Sequence, residues 1–344
     1  TMWFTSGNIN KKEMTYQIEG FNRQGIKDYF IHPVNGTCGD YLGDHFFRMI
    51  KHAAAEAKRL GMNYWIYDEY NWPSGVAGGQ VLEDEPWTRS SRLFKLTQTA
   101  AAGETIRFDL PDRKIFNTIP LLFIVDGKEV KVTMYNDTVI WTNTADEEKT
   151  LEIYVVKWLT GKNSATSGSE VLSPTAEGYL DVLDPEAVQV FIQKTHEVYK
   201  KHIGEGFGDY VKGVFTDEVV MLYDTRRKEE AGLPVLPWTR RFLEKFEERN
   251  GYDIRPRLHD LMNNTDPKLS IDYWETITEL FMNAFAQMTY DWCTKNNLIY
   301  TGHIDAEECI GCAVYRSGDP YEYYKRFTWP GIDTIYTYYR INDY

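Results

Sequence analysis

The sequence predicts an α/β fold, a (β/α)8-type (TIM) barrel with an inserted small antiparallel β module. Strand-like and helical segments alternate with short links in the first and last parts of the chain, the pattern of parallel strands joined by right-handed helical crossovers. Three apolar runs end abruptly in carboxylates: Tyr64-Trp65-Ile66-Tyr67 into Asp68-Glu69, Val211-Lys212-Gly213-Val214-Phe215-Thr216 into Asp217-Glu218, and Leu298-Ile299-Tyr300-Thr301-Gly302 into His303-Ile304-Asp305-Ala306-Glu307. Buried parallel strands read as continuous apolar runs, and a barrel puts its chemistry where they end, so acids at those ends suggest one shared site. Between the two alternating regions, residues 93–159 show period-two patterning and no helix.

Met2-Trp3-Phe4-Thr5 is the first expected strand, and Asn10 caps a helix over 11–24 that Gly25 stops. A strand follows at Asp28-Tyr29-Phe30-Ile31-His32. The helix expected over 45–60 places Phe46, Phe47, Ile50, Ala53, Ala54, Ala57 and Leu60 on one face and ends at Gly61, directly before the first acid-tipped strand. The β module contains Leu121-Leu122-Phe123-Ile124-Val125 and Val130-Lys131-Val132-Thr133-Met134, with Asp126-Gly127 as a hairpin signal between them. Asp184-Pro185-Glu186 then reads as an N-cap with proline at the first helical position, opening a helix to 202. Helices over 238–250 and 271–296 flank the remaining acid-tipped strands, and 332–336 is a sixth candidate strand. A closed barrel of this type needs eight, so either the barrel is cut short or its last strands lie in another arrangement. The expected division is 1–92 for the first barrel segments, 93–175 for the β module and 176–344 for the remaining barrel segments.

The chain of 344 residues carries 51 Asp and Glu against 38 Lys and Arg. No basic run supplies the phosphate-neutralising charge that nucleic acid or an anionic membrane needs. No apolar stretch has the length of a membrane-spanning helix, so membrane insertion is not expected. The opening Thr1-Met2-Trp3-Phe4 lacks the regions of a signal peptide, and a secreted or periplasmic protein with its signal removed is the expected setting. Cys309-Ile310-Gly311-Cys312 has redox or zinc spacing, but no second Cys pair or nearby His pair completes a zinc set, which favours incidental thiols. Aromatic residues make up 15% of the chain, and rings with flat apolar faces suit a site that stacks sugars.

Carboxylates beside aromatics point to sugar chemistry. Asp217 and Glu218 form the strongest pair, because adjacent strand residues point to opposite faces and one can face the site while the other braces it. The competing explanation is an ion pair with Arg226 or Arg227. In Asp68-Glu69-Tyr70-Asn71-Trp72-Pro73-Ser74-Gly75, Trp72 is a candidate stacking platform and Asn71 a donor to hydroxyls, unless Trp72 and Pro73 only pack beneath the loop. His303, Asp305 and Glu307 alternate, so extended backbone places them on one face, where they could hold a sugar, supply a second carboxylate or ligate a cation. His32, Asn35 and Asn8 lie in or after the first two strands, at the same expected face. No cofactor is implied, although these oxygens leave room for a divalent cation such as calcium.

Tyr67-Asp68-Glu69-Tyr70-Asn71-Trp72-Pro73-Ser74-Gly75 with Gly78-Gly79, Asp184-Pro185-Glu186-Ala187-Val188, and Gly213-Val214-Phe215-Thr216-Asp217-Glu218 together resemble the barrel of α-L-rhamnosidase-like glycoside hydrolases of polysaccharide-degrading bacteria. The resemblance implies an exo-acting glycosidase, a carbohydrate substrate and, often, further β-sandwich domains of a longer protein. It also implies that Glu218, at the end of the fourth strand, is the general acid. The second catalytic carboxylate is left open among Glu69, Asp305 and Glu307, with Asp68, Tyr70, Asn71, Trp72, Asp217, His303, His32 and Asn35 as substrate-binding candidates. A non-catalytic carbohydrate-binding protein is the alternative.

Overall fold

A computed structural model describes residues 1–7, 10–37, 40–110, 118–158, 178–221, 235–307 and 309–333. They form two compact units, one built from 1–80, 189–220 and 286–344, the other from 81–188 and 221–285.

The first unit is a parallel sheet with helical crossovers. Its strands are β1 (Met2–Gly7), β2 (Asp28–Thr37), β3 (Asn63–Tyr67), β11 (Val211–Val219), β13 (Ile299–Ile304) and β14 (Trp329–Pro330), which lie side by side in chain order. Every neighbouring pair is parallel. Asn10 caps the helix Lys11–Arg23 by accepting from the Glu13 amide. The helix Asp44–Leu60 ends on Gly61 in the left-handed conformation and buries the apolar stripe anticipated from its spacing.

The expected closed barrel does not form. Six strands make an open sheet among the described residues, with β1 paired only to β2 at one edge and the two-residue β14 paired only to β13 at the other. Closure would need the outer strands to bond to each other, and a barrel of this type takes eight strands. The sixth strand also falls earlier than its apolar run suggested, because Thr301 and Gly302 pair with Trp329 and Pro330. Residues 334–336 of the expected strand lie outside the described residues.

Two glycines let the central strands approach. A Cβ at Gly213 would sit 2.3 Å from the Ile299 carbonyl oxygen and 2.5 Å from the Trp65 ring. At Gly302, with φ of +155°, it would sit 2.1 Å from the Thr216 carbonyl oxygen. Only a residue without a side chain permits this pairing, which brings the ends of β11 and β13 together. On one face of the sheet Phe30, Tyr67 and Phe215 stack with ring centroids 4.8–5.9 Å apart. Tyr29, on the other face by strand alternation, donates its hydroxyl to the Ala53 carbonyl of the covering helix.

The second unit holds antiparallel sheets. One has the order β12 (Val235–Trp238), β4 (Ser91–Ala100), β10 (Lys149–Trp158), β6 (Ile119–Val125) and β7 (Lys128–Glu129). The other runs β5 (Thr105–Asp109), β9 (Thr138–Thr142) and β8 (Thr133–Tyr135). Phe94, Val139, Trp141, Leu151, Ile153 and Val155 form their shared core. The edge strand β12 ends on Trp238, the residue expected to open the helix over 238–250, and that helix begins only at Phe242. The long helix expected over 271–296 runs instead as Pro267–Phe281, a π-helical turn Met282–Ala286, and Gln287–Lys295.

Candidate active site

The three acid-tipped strands are neighbours in the first unit, so their ends meet. Asp68 and Glu69 have no exposed surface. Asp68 accepts hydrogen bonds from Ser74 Oγ (2.5 Å) and Thr216 Oγ1 (2.7 Å), tying the end of β3 to β11. Burial pushes its carboxyl up to about 8 against those two bonds. Glu69 collects the backbone amides of Tyr70, Gly75, Val76, Ala77 and Gly78, and so organises the loop that follows β3. Burial raises it to about 7 while the amides pull the other way.

The aromatics of that loop meet neighbouring rings. Tyr70 is 6% exposed, tilts against the Tyr41 ring and receives the Gly36 and Thr37 amides at its hydroxyl. Asn71, with φ of +55°, offers its carbonyl oxygen to Tyr67 Oη (2.8 Å) and His32 Nε2 (3.2 Å). Trp72 is half-buried and meets His32 edge-on. His32 stacks on Tyr67 at 3.9 Å, and burial lowers it to about 4, which makes it a neutral wall of the site. Asn35 lies within β2, with its side chain outside the described residues, as is Asn8.

Asp217 is held from two sides. Tyr67 Oη approaches Oδ2 at 2.6 Å and His303 Nε2 approaches Oδ1 at 2.8 Å. His303 in turn directs Nδ1 at Glu307 Oε1 (3.1 Å) and the Ile304 carbonyl (3.0 Å). All these partners only accept, so both ring nitrogens carry protons and the ring is an imidazolium between two carboxylates. Burial works against that charge, but the bonds to Asp217 and Glu307 outweigh it and raise His303 to about 11. Glu307 also receives the Asp333 amide at 3.1 Å.

Glu218 differs from its neighbours. Its backbone lies in the left-handed region at φ +46°, a strained setting for a non-glycine residue. No described side chain or amide hydrogen-bonds its carboxyl. Burial first, then the charges of Asp217 and Asp305, push it up to about 8, with His303 opposing and Asp333 adding to the rise. Asp305 is paired with Arg316 Nη1, and burial raises its carboxyl while Arg316 pulls it down. The structure thus brings together Asp217, Glu218, His303, Asp305 and Glu307 at the strand ends. Tyr67, Arg316 and Asp333 are further participants that the sequence reading did not single out. Asp333 follows β14 as the other acids follow their strands, which is the signal that could have found it.

Donor atoms of Asp217, Glu218 and His303 lie within 4.8 Å of one another, a spacing that a cation could use. The two carboxylates suit a hard cation, whereas His303 could contribute only after losing a proton that its carboxylate partners retain.

No protein-family model matches the sequence, and no curated protein does. A solved structure similar in fold is that of a rhamnosidase from Novosphingobium sp. PP1Y, with a TM-score of 0.60 and 14% identity, covering 95% of this chain and 47% of that one. The chain therefore spans about half the length of the protein it matches, and at this identity the likeness is one of fold.

Proposed function

We propose that the chain is the catalytic part of a glycoside hydrolase that removes terminal sugars from a poly- or oligosaccharide, rhamnosidase-like in specificity, with Glu218 as general acid. The observation that carries this reading is the Glu218 carboxyl: without a hydrogen-bond partner among the described residues, on strained backbone, and kept protonated near neutral pH by burial and by Asp217 and Asp305. A carboxyl of this kind can protonate a departing glycosidic oxygen. Asp305 is the opposing base or nucleophile. Among the candidates it is the one whose charge acts on Glu218, and its described partner is the Arg316 guanidinium, whereas Glu69 is enclosed by five backbone amides and Glu307 is engaged by His303 and the Asp333 amide. Arg316 favours the ionised form that such a role requires. Asp217 and His303 brace the pair. The fold likeness to a rhamnosidase supports the same reading, and a secreted or periplasmic setting is part of the proposal.

A panel of nitrophenyl glycosides that includes rhamnoside, galactoside, glucuronide and fucoside tests the proposal. Hydrolysis of one of them, abolished in Asp305→Asn, is expected. Sugar binding without turnover of any member would favour the carbohydrate-binding alternative.

A further inference from the structure

Cys309 and Cys312 are exposed thiols at the start of the helix Ile310–Ser317, in the segment that follows Glu307. Cys309 is the N-cap, and its sulfur accepts the Cys312 amide at 3.3 Å. Cα atoms three residues apart on a helical turn lie about 5 Å from each other, inside the Cα span of about 4.4–6.8 Å that a disulfide bridges. Hydrogen bonding to the Cys309 side chain and partial burial hold the Cys312 thiol above its ordinary value. The third described cysteine, Cys293, is fully buried and takes no part.

We infer that Cys309 and Cys312 form a thiol–disulfide exchange site, with Cys309 as the attacking sulfur and Cys312 as the resolving one. The helix N-terminus and the Cys312 amide stabilise negative charge on Cys309, which selects it as the nucleophile. The co-reactant is a small-molecule disulfide. Cys309 thiolate attacks one of its sulfurs, forming a mixed disulfide and releasing one thiolate. Cys312 then gives up its proton and attacks the Cys309 sulfur, closing the internal bond and releasing the second thiolate. Two electrons pass from the cysteine pair to the small disulfide. The inference is independent of the glycosidase reading, because bond formation is read without any substrate.

Oxidised glutathione is the probe. The full chain is incubated with it, quenched with iodoacetamide, digested and examined by mass spectrometry. The expected product is a peptide linking Cys309 to Cys312, lighter by its pair of thiol hydrogens and not alkylated, while Cys293 remains a thiol. Cys312→Ser should retain a glutathione adduct on Cys309, and Cys309→Ser should react about tenfold more slowly at Cys312. Both side chains are exposed, so serine is accommodated at either position. Alkylation of both cysteines in the parent under excess oxidised glutathione overturns the site. Equal adduct rates in the two variants overturn the assignment of Cys309 as the nucleophile.

Discussion

Glu218→Gln separates an acid catalyst from a structural carboxyl. With its carboxyl at about 8, Glu218 is about nine-tenths protonated at pH 7, whereas at the ordinary value of 4.5 the fraction would be about 0.3%. Burial and the neighbouring carboxylates thus raise the supply of proton donor about 300-fold. Glutamine keeps the shape and removes the donor. General acid assistance contributes about 10²–10⁴-fold, equivalent to about 3–5 kcal/mol of barrier, so kcat/KM on glycosides with a sugar leaving group should fall by that factor. Activated aryl glycosides, whose leaving groups depart unaided, should lose much less. Because the protonated form is the active one, the parent should lose about tenfold per pH unit above about pH 8. That alkaline limb should be missing from the variant. Steady-state kinetics on matched sugar and aryl substrates across pH make the comparison. Equal rates on both substrate kinds, or an alkaline limb that survives the substitution, would mean that Glu218 is not the acid.

Asp305→Asn should lose about 10²–10⁴-fold on sugar and aryl substrates alike, since a base or nucleophile is needed whatever the leaving group; parental turnover would move the role to Glu307. Glu69→Gln should unfold at lower urea, with a loss of about 3 kcal/mol, because the new amide turns N–H groups onto backbone donors that now share one oxygen; an unchanged midpoint would refute the cage. His303 is raised in the folded state, so its contribution to stability is complete below about pH 6.5 and lost as pH rises to about 11. Urea titrations of the parent and His303→Gln should therefore converge across that interval, and a gap that widens with pH would contradict the imidazolium assignment.

The parallel strands were legible because a buried strand leaves a local signature: Tyr64 to Tyr67 and Val211 to Thr216 are largely apolar runs, with Gly213 standing where a side chain is excluded. Caps were legible for the same local reason, with Asn10 and Gly61 at helix ends. Closure of a sheet has no such signature. It depends on whether the first and last strands meet, and no short window of sequence records that distance. A related limit applied to the helix expected from Trp238, since Trp238 is taken into strand β12 and the helix begins only at Phe242.

Within the site, the type of each acid was readable and its duty was not. Asp68, Glu69, Asp217, Glu218, Asp305 and Glu307 are alike as strand-end carboxylates, and what separates them is how many donors reach each one. Glu69 is surrounded by five amides from its own loop, an outcome of the turn through Gly75 and Gly78 that residue identity alone does not reveal. Asp217 is bound by Tyr67 and His303, which come from the two flanking strands. These donors hold acids in fixed places, and the charge held on Asp217 raises the Glu218 carboxyl beside it. An acid that is to release a proton gains from the opposite treatment, few donors and several negative neighbours. Among the six, Glu218 is the one with a carboxyl that no described group hydrogen-bonds, so the braced carboxylates around it do their part by supplying fixed charge at a short distance.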